Sequence, residues 1–188
     1  GYKEITFKIR NGVKWSDGTP LTADDVVFTF EILKKFPAID VTGVWKSGVA
    51  EVTKVDNYTV KVKLNVVNTL MLYNLAGIYI VPKHIWSKLD DPSKFANEEP
   101  IGTGAYILEN FSTQVVTLKK NPNYWNASKI KVDRIRIPAY SGNESAQLAV
   151  ANGELDWAGI NYPQIEKLIQ QKKDINYWFA EGNPVFLF

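Results

Sequence analysis

The chain has 188 residues, with 22 basic and 20 acidic side chains, one histidine and no cysteine. This length predicts one compact domain or two small ones, and a hydrophobic share of 45% suffices for a packed core. The lack of cysteine excludes disulfides, thiol catalysis and cysteine-ligated metal centres. A net charge of +2 gives no argument for binding nucleic acid.

Both ends of the sequence have the pattern of an interrupted strand. Ile5, Phe7 and Ile9 alternate with polar residues at the start, and residues 184–188 are apolar up to the last position. We therefore expect the chain to be a piece of a longer polypeptide. The longest apolar run, residues 77–81, is far shorter than the roughly 20 residues of a membrane helix.

The first half of the sequence combines strand patterns with one amphipathic helix. Thr22 precedes two carboxylates, Asp24 and Asp25, which indicates a capped helix start because such residues satisfy free backbone N–H groups. The elements predicted here are a strand at residues 5–9, a helix at 22–36, a hairpin of strands at 49–55 and 58–64, and short helices begun by Pro82 and Pro92.

The second half follows a glycine-rich boundary at residues 98–104. Ser141 and Glu144 have the spacing of a second capping box, and Gly153 has the position of a helix C-terminal cap. The elements predicted here are strands at 105–109, 115–119 and 132–137, a helix ending before Gly153, a strand at 154–158, a helix begun by Pro163, and two final strands. This mixture predicts an α/β or α+β lobe.

No residue set in the sequence points to catalysis or to a metal. His84 is the only imidazole, and no carboxylates cluster around it in sequence, so we predict a structural role for it. The acidic pairs at 24–25, 90–91 and 98–99 are sequence neighbours whose side chains point apart, whereas a glycosidase needs two carboxylates facing each other across a cleft. We therefore predict no catalytic residue, no metal ligand and no cofactor.

Tryptophan is the unusual feature of the composition, with six in the chain. Trp15, Trp86 and Trp125 lie in turns or on a short helix, where packing against the protein is expected. Trp45 lies in a glycine-flanked loop, for which packing and a binding role are about equally supported. Trp157 follows a predicted strand, and loops after strands are common ligand sites in α/β proteins. The alternative for Trp157 is a buried core aromatic.

Four ordered motifs give the sequence a family resemblance. Residues 7–28 (FKIRNGVKWSDGTPLTADDVVF), 102–106 (GTGAY), 121–126 (NPNYWN) and 151–156 (ANGELD) resemble the signature of extracytoplasmic solute-binding proteins of oligopeptide- and dipeptide-type ABC transporters. The resemblance implies an incomplete α/β lobe, like that of type II periplasmic binding proteins, with a mixed β-sheet and flanking helices. It also implies an extra subdomain at residues 1–99 and part of the main first lobe at residues 100–188, ending near the hinge.

The same resemblance implies where a ligand would bind. Relatives contact peptides through the loop after the first helix, the loop before the Val-Pro-Lys segment, and the residues after the Gly-Glu-x-Asp segment. The corresponding residues here are Trp45, Tyr79, Trp157, Ile160 and Asn161. Because sugar rings stack on indole, Trp157 favours an oligosaccharide ligand. An oligopeptide or dipeptide is the alternative, and a non-binding structural module is the second alternative.

The resemblance finally implies a transport role in which no covalent bond is made or broken. We expect a non-enzymatic receptor that captures its ligand between two lobes and delivers it to a membrane permease. A sugar-cleaving enzyme is the rival class, but the facing carboxylates that it needs are missing from the sequence pattern. We further expect no nucleic-acid partner, a monomer at full length, and an extracytoplasmic location, either periplasmic or lipid-anchored at the cell surface.

Overall fold

The computed structural model describes residues 3–159, 165–172 and 176, and the chain divides into two compact units, Gly1–Ile137 and Pro138–Phe188. Strands and helices are mixed along the chain. Their order is β1 (Glu4–Lys8), α1 (Ala23–Lys35), β2 (Val49–Asp56), β3 (Thr59–Leu64), α2 (Met71–Ala76), α3 (Lys83–Trp86), β4 (Tyr106–Phe111), β5 (Val115–Lys120), β6 (Arg134–Pro138), α4 (Asn143–Asn152) and α5 (Ile165–Gln171), with 3-10 turns at Pro37–Ile39, Pro92–Lys94 and Ala127–Lys129.

The first sheet has β3 between β1 and β2, with both pairs antiparallel. Alternate residues of β3 are buried, as the sequence alternation predicts. The hairpin turn is held by Asp56, whose carboxylate accepts the Tyr58 N–H at 2.7 Å. Helix α1 packs on β2 and β3. The buried core cluster consists of Phe30, Val44, Val49, Val62, Leu64, Met71 and Leu75.

Helix α1 begins with the predicted capping box. The Thr22 hydroxyl accepts the Asp24 N–H, and the Asp25 carboxylate accepts the Thr22 N–H at 2.9 Å. Asp25 is buried, and its second oxygen accepts the Lys83 N–H at 3.0 Å. One turn later Thr29 accepts the Val81 N–H at 3.1 Å. Two buried polar side chains of α1 therefore fix the backbone of residues 81–83.

The second sheet has the order β4-β5-β6, and β4 pairs with β5 in antiparallel orientation. All three strands lie within two residues of their predicted positions. Hydrogen bonds link the turn near Trp15 to residues at both ends of the β4-β5 hairpin: the Ser16 N–H donates to the carbonyl of Gly102, before β4, at 2.8 Å, and Nδ2 of Asn123, after β5, donates to the Ser16 carbonyl at 3.0 Å. Apart from Pro138, the last residue of β6, both sheets belong to the first compact unit.

The capping box predicted at Ser141 is wrong. Helix α4 begins one residue later than expected, so its N-cap is Gly142, which has no side chain to offer, and Glu144 lies at the second helical position. The predicted C-terminal cap is confirmed, because Gly153 has a left-handed backbone with φ of 76°.

The strand predicted at residues 154–158 is also wrong. The Glu154 N–H donates to the Ala149 carbonyl at 2.8 Å and so completes the cap of α4 instead of joining a sheet. The helix α5 is confirmed, with Leu168 buried, whereas Pro163 and the two predicted final strands lie outside the described residues. The division of the family fold at residues 99/100 stays a prediction; it differs from the boundary between the compact units at 137/138.

Candidate functional site

Trp157 is an exposed aromatic side chain in the second compact unit. Its exposed fraction is 68% in the described part of the chain, and its contact with a ligand stays a prediction. It follows the cap of α4, and its ring edge approaches Gly159, where an added Cβ would lie 3.6 Å from Cη2. Ile160 and Asn161, the other residues predicted for this loop, lie outside the described residues.

Tyr79 lies in the first compact unit, two residues before the segment that α1 holds. Its side chain is 90% exposed, while its neighbours Ile78 and Ile80 pack against the core cluster. The backbone around Tyr79 is therefore fixed from both sides, and its phenol faces solvent in the described part of the chain. This is the arrangement expected of a contact residue on a rigid support.

Trp45 is held more firmly than the sequence indicates. Its indole N–H donates to the Phe30 carbonyl at 2.9 Å, and its ring packs against the core cluster. Lys34 Nζ lies 4.6 Å from the ring centroid, which is a cation–π contact. Trp45 thus has a structural role and is partly exposed, and its contact with a ligand stays a prediction.

A cavity of about 290 Å³ lies beside Trp45. The sequence interpretation identified only Trp45 here, because the other wall residues come together through the turn after α1. Its walls are formed by Leu33, Lys34, Pro37, Asp40, Val41, Gly43, Trp45 and Lys46. The one sequence signal for this cavity is the basic end of α1, formed by Lys34 and Lys35. Basic residues are expected at a helix C-terminus in any case, because they interact favourably with the helix dipole.

Three of the four family motifs, residues 7–28, 102–106 and 121–126, lie in the first compact unit, where polar side chains fix the backbone. Asn121 is buried; its Nδ2 donates to the Gly104 carbonyl at 2.8 Å, and its Oδ1 accepts the Asn123 N–H at 2.9 Å. Trp15 is buried with 2% exposure, which confirms that it packs against the protein. Trp125 is partly exposed, and the Arg10 guanidinium lies 3.9 Å from its ring centroid.

His84 and Asp17 form a polar pair near the same motifs. His84 Nε2 lies 2.6 Å from Asp17 Oδ2. Burial opposes the charge of Asp17, but the Thr19 N–H and the His84 ring together hold the pKa of this carboxyl below its usual value. The pair links the turn before α1 to α3 and explains His84 structurally.

Within the described residues, no group of three or more metal-binding side chains is present. No helix in this part of the chain has both the length and the apolar character needed to cross a membrane.

Comparison with known proteins identifies relatives over most of the chain. It is 28% identical to the oligopeptide-binding protein OppA of Bacillus subtilis, over 92% of this chain and 35% of that protein. The crystal structure of a mannohexaose-bound periplasmic oligopeptide-binding protein from Thermotoga maritima superposes with a TM-score of 0.83 and 34% identity, over 90% of this chain and 33% of that one.

An ABC transporter substrate-binding protein, CtaP from Listeria monocytogenes, superposes with a TM-score of 0.79 and 30% identity, over 90% of this chain and 36% of that one. The chain thus spans about one third of the length of these three relatives. All three are binding proteins and none is an enzyme, in agreement with the prediction of a non-enzymatic protein.

The profile of one family covers the whole sequence. It is the family described as "Bacterial extracellular solute-binding proteins, family 5 Middle", and it matches residues 1–188. The fold prediction is confirmed, since the solved relatives are type II periplasmic binding proteins and the chain is a mixed α/β part of that fold. The chain therefore belongs to family 5 of the bacterial extracellular solute-binding proteins.

Proposed function

We propose that the complete polypeptide containing this chain is the substrate-binding component of an ABC importer. This component is a monomer outside the cytoplasm, either in the periplasm or anchored to the cell surface by a lipid. It captures a solute there and delivers the solute to a membrane permease. The observation that carries this proposal is the family match over residues 1–188. The names of the relatives, which are transporter binding proteins, support it.

An oligopeptide is the ligand class that we propose first. The relative from Bacillus subtilis is named for oligopeptide binding, and so is the one from Thermotoga maritima. An oligosaccharide is the second candidate, because the latter structure contains mannohexaose and because Trp157 presents an exposed indole. This order reverses the expectation from sequence, which relied on Trp157 alone.

Trp157 is the proposed contact residue of the second compact unit. Its exposure leaves ring surface free to stack on a peptide side chain or on the C–H face of a sugar. We include Ile160 and Asn161 in the same contact, since an asparagine amide offers both a donor and an acceptor to a polar ligand. Tyr79 is the proposed contact residue of the first compact unit.

Tryptophan fluorescence and calorimetry on the complete polypeptide test this proposal. We expect binding of short oligopeptides, of mannohexaose, or of both. Trp157→Ala should weaken binding by roughly 1–3 kcal/mol without a matching fall in melting temperature. Trp125→Ala is the matched control, because Trp125 is also an exposed indole but contacts Arg10, and its change should leave affinity unaltered.

Two results would count against the proposal in different ways. If neither solute class binds to the complete polypeptide, the receptor function is wrong. If Trp157→Ala binds normally but unfolds more easily, the receptor function stands and the assignment of Trp157 is wrong. Tyr79→Ala is compared in the same assay with Tyr73→Ala, since both tyrosines are highly exposed and only Tyr79 is a proposed contact.

A further inference from the structure

The cavity beside Trp45 is preformed by contacts within the first compact unit. The Trp45 indole is fixed by its hydrogen bond to the Phe30 carbonyl and by the packing of its ring. Pro37, in the 3-10 turn Pro37–Ile39 that follows α1, forms another part of the wall. Its volume of about 290 Å³ is just below the range of small-molecule pockets, which is about 300 to 1,000 Å³. The cavity therefore suits one chemical group or one residue of a ligand.

The charge of the cavity is positive. Lys34 and Lys46 both line it, and neither forms an ion pair in the described part of the chain. Asp40 is the one acidic residue among the lining side chains, and its carboxylate faces the backbone of its own loop. Asp40 Oδ1 accepts the Val44 N–H at 3.2 Å and the Thr42 hydroxyl at 3.3 Å. Its Oδ2 lies 3.5 Å from the backbone nitrogen of Trp45.

The rest of the wall is apolar. Leu33, Pro37 and Val41 contribute aliphatic surface, and Val41 is almost fully exposed, with 94% of its surface free. Val41 and the two lysines, of which Lys34 lies over the Trp45 ring, form an arrangement of apolar surface and positive charge. It is a suitable one for a ligand that carries both an apolar group and a negative charge.

We propose that this cavity binds a carboxylate attached to an apolar or ring-shaped group. Lys34 and Lys46 would neutralise the carboxylate, while Leu33, Pro37 and Val41 would contact its apolar part. Two sources provide this chemistry: the C-terminal residue of a peptide and a uronic acid unit of an oligosaccharide. The inference rests on the proposed function, since both sources belong to the ligand classes named above, but it does not depend on whether Trp157 contacts ligand.

The experiment compares probes that differ by one charge. The complete polypeptide, labelled with 15N at its tryptophan indoles, is titrated with N-acetyl-leucine and with N-acetyl-leucinamide. The Trp45 indole N–H is assigned from the signal lost in Trp45→Phe. We expect the acid to shift this signal and to bind about 3- to 10-fold more tightly than the amide. This preference should shrink at high salt, because salt screens charges at a solvent-accessible site.

A second pair of probes distinguishes the two sources. Glucuronate and glucose differ by a carboxylate on the same ring. If only N-acetyl-leucine prefers the site, the source is a peptide terminus; if only glucuronate does, the source is an acidic sugar. Either result supports a carboxylate site, and equal binding of acid and neutral probe in both pairs overturns it.

Lysine variants test which side chains are responsible. Lys46→Met should remove most of the preference for the acid while leaving the melting temperature unchanged. Lys35→Met is the matched control, because it removes the same charge next to Lys34 but does not line the cavity. If Lys35→Met and Lys46→Met lower the preference equally, only the overall charge matters and the site is refuted. The proposed receptor function would fail separately, by the absence of oligopeptide and mannohexaose binding.

Discussion

The two sheets of the first compact unit are stabilised in different ways. In the sheet β1-β3-β2, the central strand buries Val60, Val62 and Leu64, and α1 covers β2 and β3. In the sheet β4-β5-β6, every strand residue is at least partly exposed, and Phe111 and Ile137 are largely exposed. The same alternation of strand residues therefore gives a core only where a helix covers the sheet.

Polar contacts take the place of a core in the second sheet. Tyr106 donates its hydroxyl to the Val132 carbonyl at 2.9 Å, and Arg134 forms two hydrogen bonds with the Glu109 carboxylate. Exposed ion pairs of this kind contribute about 0–1 kcal/mol each. The first sheet is thus expected to dominate the unfolding free energy of the unit, and the second to depend on its hydrogen bonds.

Truncating one phenylalanine in each sheet region should give the largest difference. Phe30→Ala removes a buried ring of the core cluster and should lower the free energy of unfolding by about 3–5 kcal/mol. Phe111→Ala removes a ring that is mostly exposed and should change it by less than about 1 kcal/mol. Urea denaturation of the two variants measures both values; similar losses would contradict the difference between the sheets.

The buried asparagine at the end of β5 should give the next largest effect. Asn121→Ala leaves the Gly104 carbonyl and the Asn123 N–H without their partner and should cost about 1–3 kcal/mol. Asn110→Ala, at an exposed position of β4, is the control and should cost less than about 0.5 kcal/mol. Thermal unfolding followed by circular dichroism distinguishes them, and equal melting temperatures would show that the hydrogen bonds of Asn121 contribute little.

The helix starts of the two compact units provide a third comparison. Thr22→Ala removes a capping hydroxyl and should cost about 1 kcal/mol, with ligand affinity in the complete polypeptide unchanged. Ser141→Ala should cost nearly nothing, because the N-cap of α4 is Gly142. Chemical denaturation tests this pair. A loss of affinity in Thr22→Ala at normal stability would contradict a purely structural role.

The smallest effect is expected for the pair of Asp17 and His84. Because the pKa of Asp17 is lowered in the folded state, its charge stabilises the fold above the ordinary carboxyl pKa, and this contribution is lost as pH falls through the lowered value. His84→Ala should raise the pKa of Asp17 towards normal. Carboxyl 13C NMR measures this shift. Asp56, whose lowered pKa depends on the Tyr58 N–H, is the control and should not change.

Features fixed by neighbours in sequence were predicted well. The alternation of β3 and the spacing of Thr22 and Asp25 act over a few residues, and both appear in the structure as expected. The cap at Gly153 is also confirmed, but the strand predicted after it is wrong. The reason is that the Glu154 N–H is used by the helix cap, which no periodicity of the following residues reveals.

The candidate site depended on contacts that are distant in sequence. Trp45 is anchored to Phe30 by a hydrogen bond across 15 residues, so a loop that lacks periodicity still holds a partly buried indole. The lysines at 34 and 46 line one cavity only because the turn after α1 reverses the chain. Trp157 is exposed, but the strand end from which its contact role was predicted is a helix cap, so that role stays a prediction.

Helix α1 fixes the backbone of residues 81–83, so the shape of the chain here is independent of the side chain at position 79. Thr29 and Asp25 bond to backbone N–H groups, so the path of this segment does not depend on which residue stands two positions earlier. Position 79, exposed and flanked by anchored isoleucines, can therefore exchange tyrosine for another side chain without refolding its surroundings. In the receptor proposed above, with Tyr79 as a ligand contact, such a position would allow a new ligand preference to arise while the supporting backbone is inherited unchanged.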